Sequence, residues 1–276
     1  MASQFVWIVG GAGAVGQGIA RGLLKAGATV IVNSRYQHRL ERMQENLSES
    51  STEGGRLVCV NRSMLPERAE ETVRIVLDMT GSRIDHVVAH SGVAWWSGDE
   101  NADSERVDDE STAYASRGSV LEVPAADFVA ASSQLGSMHH TAMQLLLPRL
   151  SRGRGSSYTF VTSRESMLAM PRASMAQINA HAVMGLAAAM RQEASSHSWP
   201  FARVNELRLG DGMQVNRSQR EREQIPRSRP LTHDIGDIVA GMVAASDGAH
   251  AGPISVSAST PQELDELRLQ YDAAKR

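Results

Sequence analysis

The stretch FVWIVGGAGAVGQGIA, residues 5–20, decides how the rest of the chain is read. Five residues of strand character run into a cluster of glycines, and the glycines run into a segment of helical period. Gly10 or Gly11 permits a tight turn, Gly13 lets the backbone come close to a bound group, and Gly16 lets the next helix pack on the strand. A helix that starts directly after such a turn presents unpaired N–H groups, and the group that suits them is a phosphate. Gly10, Gly11, Gly13, Val15 and Gly16, placed between a strand and a helix, therefore read as a dinucleotide-binding fingerprint in its confirming context. The apolar run is too short to span a membrane and no basic residues precede it, so neither a membrane anchor nor a secretion signal is expected.

The end of the second strand bears on which nicotinamide dinucleotide fits. A site for NAD usually holds an acid there to accept from the ribose 2′-hydroxyl, whereas this chain reads VIVNSRYQHR over 30–39. Asn33, Ser34 and Arg35 offer hydrogen bonds and a cation suited to a 2′-phosphate, with Arg39 one helical turn further on. NADP(H) is the expected cofactor and NAD(H) the second choice.

Outward from this unit, β-branched runs alternate with helix-period stretches. Strands are expected at 5–9, 28–33, 56–60, 84–90, 157–162, 202–208 and 252–257, and helices near 14–26, 37–47, 65–80, 124–150, 173–196 and 233–246. Continuously apolar strands separated by helices predict a parallel sheet covered on both faces. The expected fold is a single three-layer, doubly wound α/β domain of about seven strands over residues 1–276. A C-terminal helix within 260–276 is predicted by the capping pair Thr260 and Glu263, with Pro261 in its first turn and a stripe of Leu264, Leu267 and Tyr271.

Two segments break the rhythm. Residues 97–120 carry seven acids between Asp99 and Glu110 and no apolar period, which reads as a solvated insertion after the fourth strand. Because ligands of open α/β sheets sit at the carboxyl ends of strands, the insertion can also serve as a lid, with Tyr114 its most useful residue. Residues 214–230 hold five arginines, Arg217, Arg220, Arg222, Arg227 and Arg229, a solvated run or a clamp for an anionic substrate group.

Composition agrees with a globular chain. Of 276 residues 42% are hydrophobic, and 28 Lys and Arg stand against 31 Asp and Glu, a formal charge of -3. No basic field for nucleic acid exists. The lone Cys59, within the apolar LVCV, forms no intrachain disulfide and suits a reducing, cytoplasmic setting. No metal-ligating cluster is evident.

The chain resembles the short-chain dehydrogenase/reductase family over nearly its whole length. VGGAGAVG looks like the family's TGxxGxxG turn with Val9 in place of Thr. IDHVVAHSG looks like the fourth strand and its NNAG motif, here Ala89, His90, Ser91 and Gly92. RVNELRLGDG is similar to the sixth strand and its PG turn, with Leu209 and Gly210 at those places, and GPISVS looks like the last strand. The resemblance implies a Rossmann fold, nicotinamide nucleotide binding that includes Ser91, Gly92 and Gly210, and pairing through the fourth and fifth helices into a homodimer or homotetramer.

Catalysis in the family relies on Ser, Tyr and Lys. YTFVTS brings Ser163 to the Ser position, but MAQINAHAVMGLAAA aligns with YxxxKAAxxGL so that Ala176 stands for Tyr and Ala180 for Lys. Methyl groups move no protons. The Asn expected on the fourth helix is also missing, with Gln134 or Leu135 near its place. Hydride transfer to a carbonyl still needs a proton at the oxygen, and the candidates are His90, at the end of the fourth strand, and Tyr114, while Ser163 is the retained polar group expected to contact the substrate. His139, His140 and His181 read as core or surface histidines. The resemblance implies an NADP(H)-dependent oxidoreductase acting on a small carbonyl or alcohol with rebuilt acid–base residues. The alternative is a catalytically inactive nucleotide-binding sensor or scaffold.

Overall fold

The computed structural model describes residues 4–48, 54–90, 121, 123–150, 155–163, 174–196, 202–210, 232–245, 254–258 and 260–273. Seven strands, β1 (Phe5–Val9), β2 (Thr29–Ser34), β3 (Arg56–Asn61), β4 (His86–Ala89), β5 (Ser157–Ser163), β6 (Arg203–Leu209) and β7 (Ser255–Ala258), form one sheet in the order β3-β2-β1-β4-β5-β6-β7. Every pairing is parallel. The helices are α1 (Ala14–Lys25), α2 (Gln37–Leu47), α3 (Pro66–Thr80), α4 (Ala125–Leu146), α5 (Ser174–Ala194), α6 (Thr232–Ala244) and α7 (Pro261–Ala273). The doubly wound α/β architecture expected from the sequence is the one observed, and the strand order reverses between β1 and β4.

Alternation along each strand explains the continuous apolar runs, because successive side chains enter opposite layers. Val6, Ile8, Val30 and Val32 face Ile19 and Leu23 of α1 and Ile235, Ile238 and Val239 of α6. Trp7, Val9, Ile31, Val87, Tyr158 and Phe160 face Val73 and Val76 of α3, Ala142 and Leu146 of α4, and Val183 and Ala187 of α5. The α1–α6 contact is made through glycines: a Cβ on Gly236 would overlap the carbonyl oxygen of Gly18, and one on Gly22 would overlap the Gly236 backbone.

Most boundaries agree with the sequence reading to within one or two residues, and three differ by more or for an evident reason. β4 is shorter than 84–90, because Asp85 turns its carboxylate to the Phe5 N–H at 2.8 Å and to Arg83 at 3.0 Å before the strand begins. The stretch expected as one helix to residue 150 ends at Leu146 and tightens into a 3-10 turn at Leu147–Arg149, where Pro148 cannot donate to the helical ladder. β7 starts at Ser255, three residues later than expected. At α7, the Glu263 N–H donates to Thr260 Oγ at 3.2 Å, as the capping pair requires, and Leu264 is buried in the first layer with Leu267 packed against it.

Candidate functional site

The carboxyl ends of β2, β1, β4, β5 and β6 lie side by side, a span of roughly 19 Å at about 4.8 Å per neighbouring pair. Along this edge follow the end of β2, the glycine-rich turn, His90, Ser163 and Gly210; Ala89 is level with Val9 and Phe160, so Ser163 stands further out along β5 than His90 does on β4.

The glycines of the turn divide their tasks. Gly10 adopts φ 71°, in the left-handed region that favours glycine. A Cβ on Gly11 would overlap the Ile8 side chain, and one on Gly16 would overlap the Gly11 carbonyl, so both are needed for packing. Gly13 differs: it is exposed and a Cβ there would meet nothing within 4 Å. It is also the N-cap of α1, with no side-chain cap and no acid in the first turn. Among the described residues nothing stands in the way of an anion that approaches the helix N-terminus over Gly13. Val15 is buried in the core, which leaves only its backbone to face a ligand.

At the end of β2, the Asn33 side chain turns inward, where Trp7 Nε1 donates to its Oδ1 at 2.9 Å. Ser34 Oγ accepts the Tyr36 N–H at 3.1 Å, which shapes the turn into α2. The guanidinium groups of Arg35 and Arg39 stack on the Tyr36 ring at 5.1 and 4.8 Å from its centroid. Two cations are thereby gathered about one aromatic ring just past the end of β2.

His90 follows β4 one residue past Ala89, which pairs with Val9. It is half-buried, and burial lowers its pKa from 6.5 to about 4 against an opposing hydrogen bond with the Val161 backbone. It is neutral at pH 7 and so is no imidazolium donor. Ser163 ends β5 opposite Leu209. The Gly210 N–H donates to the Ala258 carbonyl at 2.6 Å, so that donor is spent on the chain itself. Ser91, Gly92, Tyr114, the insertion 97–120 and the arginines of 214–230 lie outside the described residues.

His139 is buried beside Phe160, while His140 and His181 are exposed. Cys59 is half-buried and burial pushes its thiol up to about 11, so it is unreactive at neutral pH. Among the described residues no cluster of His, Cys, Asp and Glu could hold a metal, and no helix is long and apolar enough to cross a membrane.

Two polar groups of this region escape a reading of the sequence. Glu206 of β6 is fully buried, accepts from Thr162 Oγ1 at 2.9 Å, and pairs with Arg191 of α5 at 2.9 Å and Arg208 at 3.1 Å. An acid in the middle of a strand whose residues are nearly all buried, RVNELRL, was the available signal. Asn179 of α5 is buried and accepts the Leu135 N–H of α4 at 3.2 Å, a contact that no spacing pattern announces.

A parallel sheet with a glycine-rich first turn and a cationic second-strand end defines a nucleotide-binding α/β protein. The family model described as short chain dehydrogenase matches residues 4–224, and the chain belongs to that family, whose members are oxidoreductases that bind NAD(P)(H). Among solved structures, it is similar to a short-chain type dehydrogenase/reductase from Mycobacterium ulcerans, at 20% identity over 96% of this chain and 91% of the other, with a TM-score of 0.65. A short-chain dehydrogenase/reductase from Serratia marcescens matches at 17% identity over 93% and 97%, TM-score 0.62. A dehydrogenase/reductase from Sinorhizobium meliloti matches at 20% identity over 93% and 94%, TM-score 0.63. No curated protein matches the chain.

Proposed function

We propose that the protein is an NADP(H)-dependent oxidoreductase of the short-chain type, acting on a small carbonyl or alcohol with acid–base residues other than the family's Tyr and Lys. The observation that carries the coenzyme preference is the Arg35–Tyr36–Arg39 stack at the end of β2, in a stretch with no acid from Asn33 to Leu40. An ion pair to a 2′-phosphate fits there, and a carboxylate reader of a 2′-hydroxyl is absent from that stretch.

When bound, the nicotinamide supplies hydride at its C4. The chain's own contribution starts at Gly13 and the N–H groups of the first turn of α1, which hold the pyrophosphate. Arg35 and Arg39 neutralise the 2′-phosphate. The Ser163 hydroxyl orients the substrate oxygen, and the proton reaches that oxygen from Tyr114 or from solvent. His90, neutral at pH 7, acts through hydrogen bonding alone. General acid–base help is worth about 10²- to 10⁴-fold, so a rate lower than a full proton relay would give is expected.

The test is calorimetry with NADPH and NADH, followed by NADPH oxidation with a panel of aldehydes and ketones. Failure to bind either coenzyme ends the proposal. Tight NADPH binding with no turnover by any carbonyl favours a second reading, a catalytically inactive NADP(H) sensor or scaffold. The observation behind that reading is Ala176 and Ala180 at the aligned Tyr and Lys positions, together with the low pKa of His90. Replacement of Ser163 by Ala separates the two, since only an enzyme loses rate. The acidic insertion and the arginine-rich segment are proposed to border the substrate, an anionic group suiting the latter, and a homodimer or homotetramer is the proposed assembly.

A further inference from the structure

We infer that Asn33 is a positioning residue for the glycine-rich turn and does not itself read the nucleotide, an inference that rests on the nucleotide-binding reading above. The Asn33 side chain is buried at the C-terminal end of β2. Its Oδ1 accepts two bonds, from the Trp7 indole N–H at 2.9 Å and from the Gly10 backbone N–H at 3.3 Å. Its Nδ2 donates to the Arg62 carbonyl at 3.3 Å. One amide thus joins the middle of β1, the first glycine of the turn and the segment that leaves β3.

The arrangement follows from donor and acceptor counting. An indole has a donor and no acceptor, and Trp7 is fully buried in the second layer, so its N–H must find an oxygen inside the protein. Gly10, which follows β1 and turns the chain at φ 71°, directs its N–H to the same oxygen. Both lone pairs of Oδ1 are then occupied. Rotating Asn33 outward to a ribose would strand two donors, one of them fully buried, for one hydrogen bond in competition with water, and the exchange is unfavourable. Recognition of the 2′ group therefore falls to Ser34, Arg35 and Arg39, while position 33 governs how firmly the turn is held for the pyrophosphate that both coenzymes share.

This separates affinity from preference. Asn33→Ala is expected to weaken NADPH and NADH together by about tenfold, the loss of one to two hydrogen bonds, with their ratio unchanged. Asn33→Asp keeps both acceptor contacts and is expected to leave the ratio within about threefold of wild type, although an acid now stands at the end of β2. By contrast Arg35→Ala lowers NADPH affinity alone. The ratio is insensitive to a loss of stability, which weakens both coenzymes equally. Independently of nucleotide, hydrogen exchange read by NMR is expected to speed up at the Gly10 amide and the Trp7 indole in Asn33→Ala, with the indole assigned from Trp7→Phe.

A shift of tenfold or more toward NADH in Asn33→Asp overturns the inference, and so does an Asn33→Ala variant that binds both coenzymes as wild type does. Wild-type protein that binds neither coenzyme overturns the proposed function and the affinity claim made here; the exchange measurement then decides by itself whether Asn33 holds the turn.

Discussion

Gly13 and Gly16 lie three residues apart in one motif, yet the structure assigns alanine opposite effects at the two sites. At Gly13 the backbone is extended, φ -83° and ψ 179°, and a Cβ meets nothing within 4 Å. Ala suits those angles, and its gain in chain stiffness is offset by its weaker N-cap preference, so stability should change by less than about 1 kcal/mol. The added methyl, however, occupies the approach to the first turn of α1. Loss of two charge-assisted bonds of about 1.5 kcal/mol each gives roughly 3 kcal/mol, a fall in NADPH affinity of about a hundredfold. At Gly16 the new Cβ would lie 2.5 Å from the Gly11 carbonyl carbon, where ordinary contact begins at 3.4 Å. Helix α1 must then retreat by about 1 Å, at a cost of about 1–3 kcal/mol, and affinity falls because the turn itself is displaced. Thermal unfolding by circular dichroism and titration calorimetry on the two variants measure both quantities. A folded Gly13→Ala protein with wild-type NADPH affinity would refute the placement of the pyrophosphate over this residue.

Removing the Arg35 charge with Ala should cost NADPH about tenfold in binding and NADH almost nothing, and the difference should shrink as salt is raised, which calorimetry at two ionic strengths checks. His90 titrates near 4 when folded and near 6.5 when unfolded, so between these values only the unfolded chain takes up the proton. Its contribution is complete above about pH 6.5 and fades by roughly 3 kcal/mol as pH falls to about 4, a slope that urea unfolding should find reduced in His90→Gln. Glu206→Ala leaves Arg191 and Arg208 without their shared carboxylate and should destabilise by about 3 kcal/mol in denaturant titration, with Glu206→Gln less severe. Ala176→Tyr combined with Ala180→Lys should raise NADPH-dependent carbonyl reduction by about 10²- to 10⁴-fold if the proposed register of α5 is correct; a folded, NADPH-binding double variant with unchanged turnover counts against that register.

The fold is legible in the sequence because its determinants are periodic and local. β1 and α2 fall at their expected bounds, Phe5–Val9 and Gln37–Leu47, since an apolar run ending in glycine and an amphipathic stretch each carry their own punctuation. Side-chain direction at the end of a strand is not legible. Asn33 reads as a nucleotide contact from its position, and only the presence of Trp7 across the sheet, 26 residues earlier, turns it inward. The same holds for His90: its place at the sheet edge is readable, but its protonation depends on burial in the folded chain and on a hydrogen bond with the Val161 backbone. Glu206 stands out as an acid in a buried strand, while its partner on α5, Arg191, requires the folded chain.

On the proposed register, in which Ala176 and Ala180 stand for the family's Tyr and Lys, helix α5 keeps its place in the scaffold without them. Residues 176, 180, 183 and 187 recur at helical spacing and form one stripe, and its later members, Val183 and Ala187, are buried in the layer against the sheet. On the proposed register Ala176 and Ala180 continue that stripe toward the edge where Ser163 ends β5. Further along the helix, Val183 and Ala187 pack on the sheet, Asn179 accepts from Leu135 on one side and Arg191 pairs with Glu206 on the other. These contacts hold the helix against its neighbours. On the proposed register the chemistry, or its absence, is then decided by which groups meet the substrate at the end of β5 and not by the fold that surrounds them.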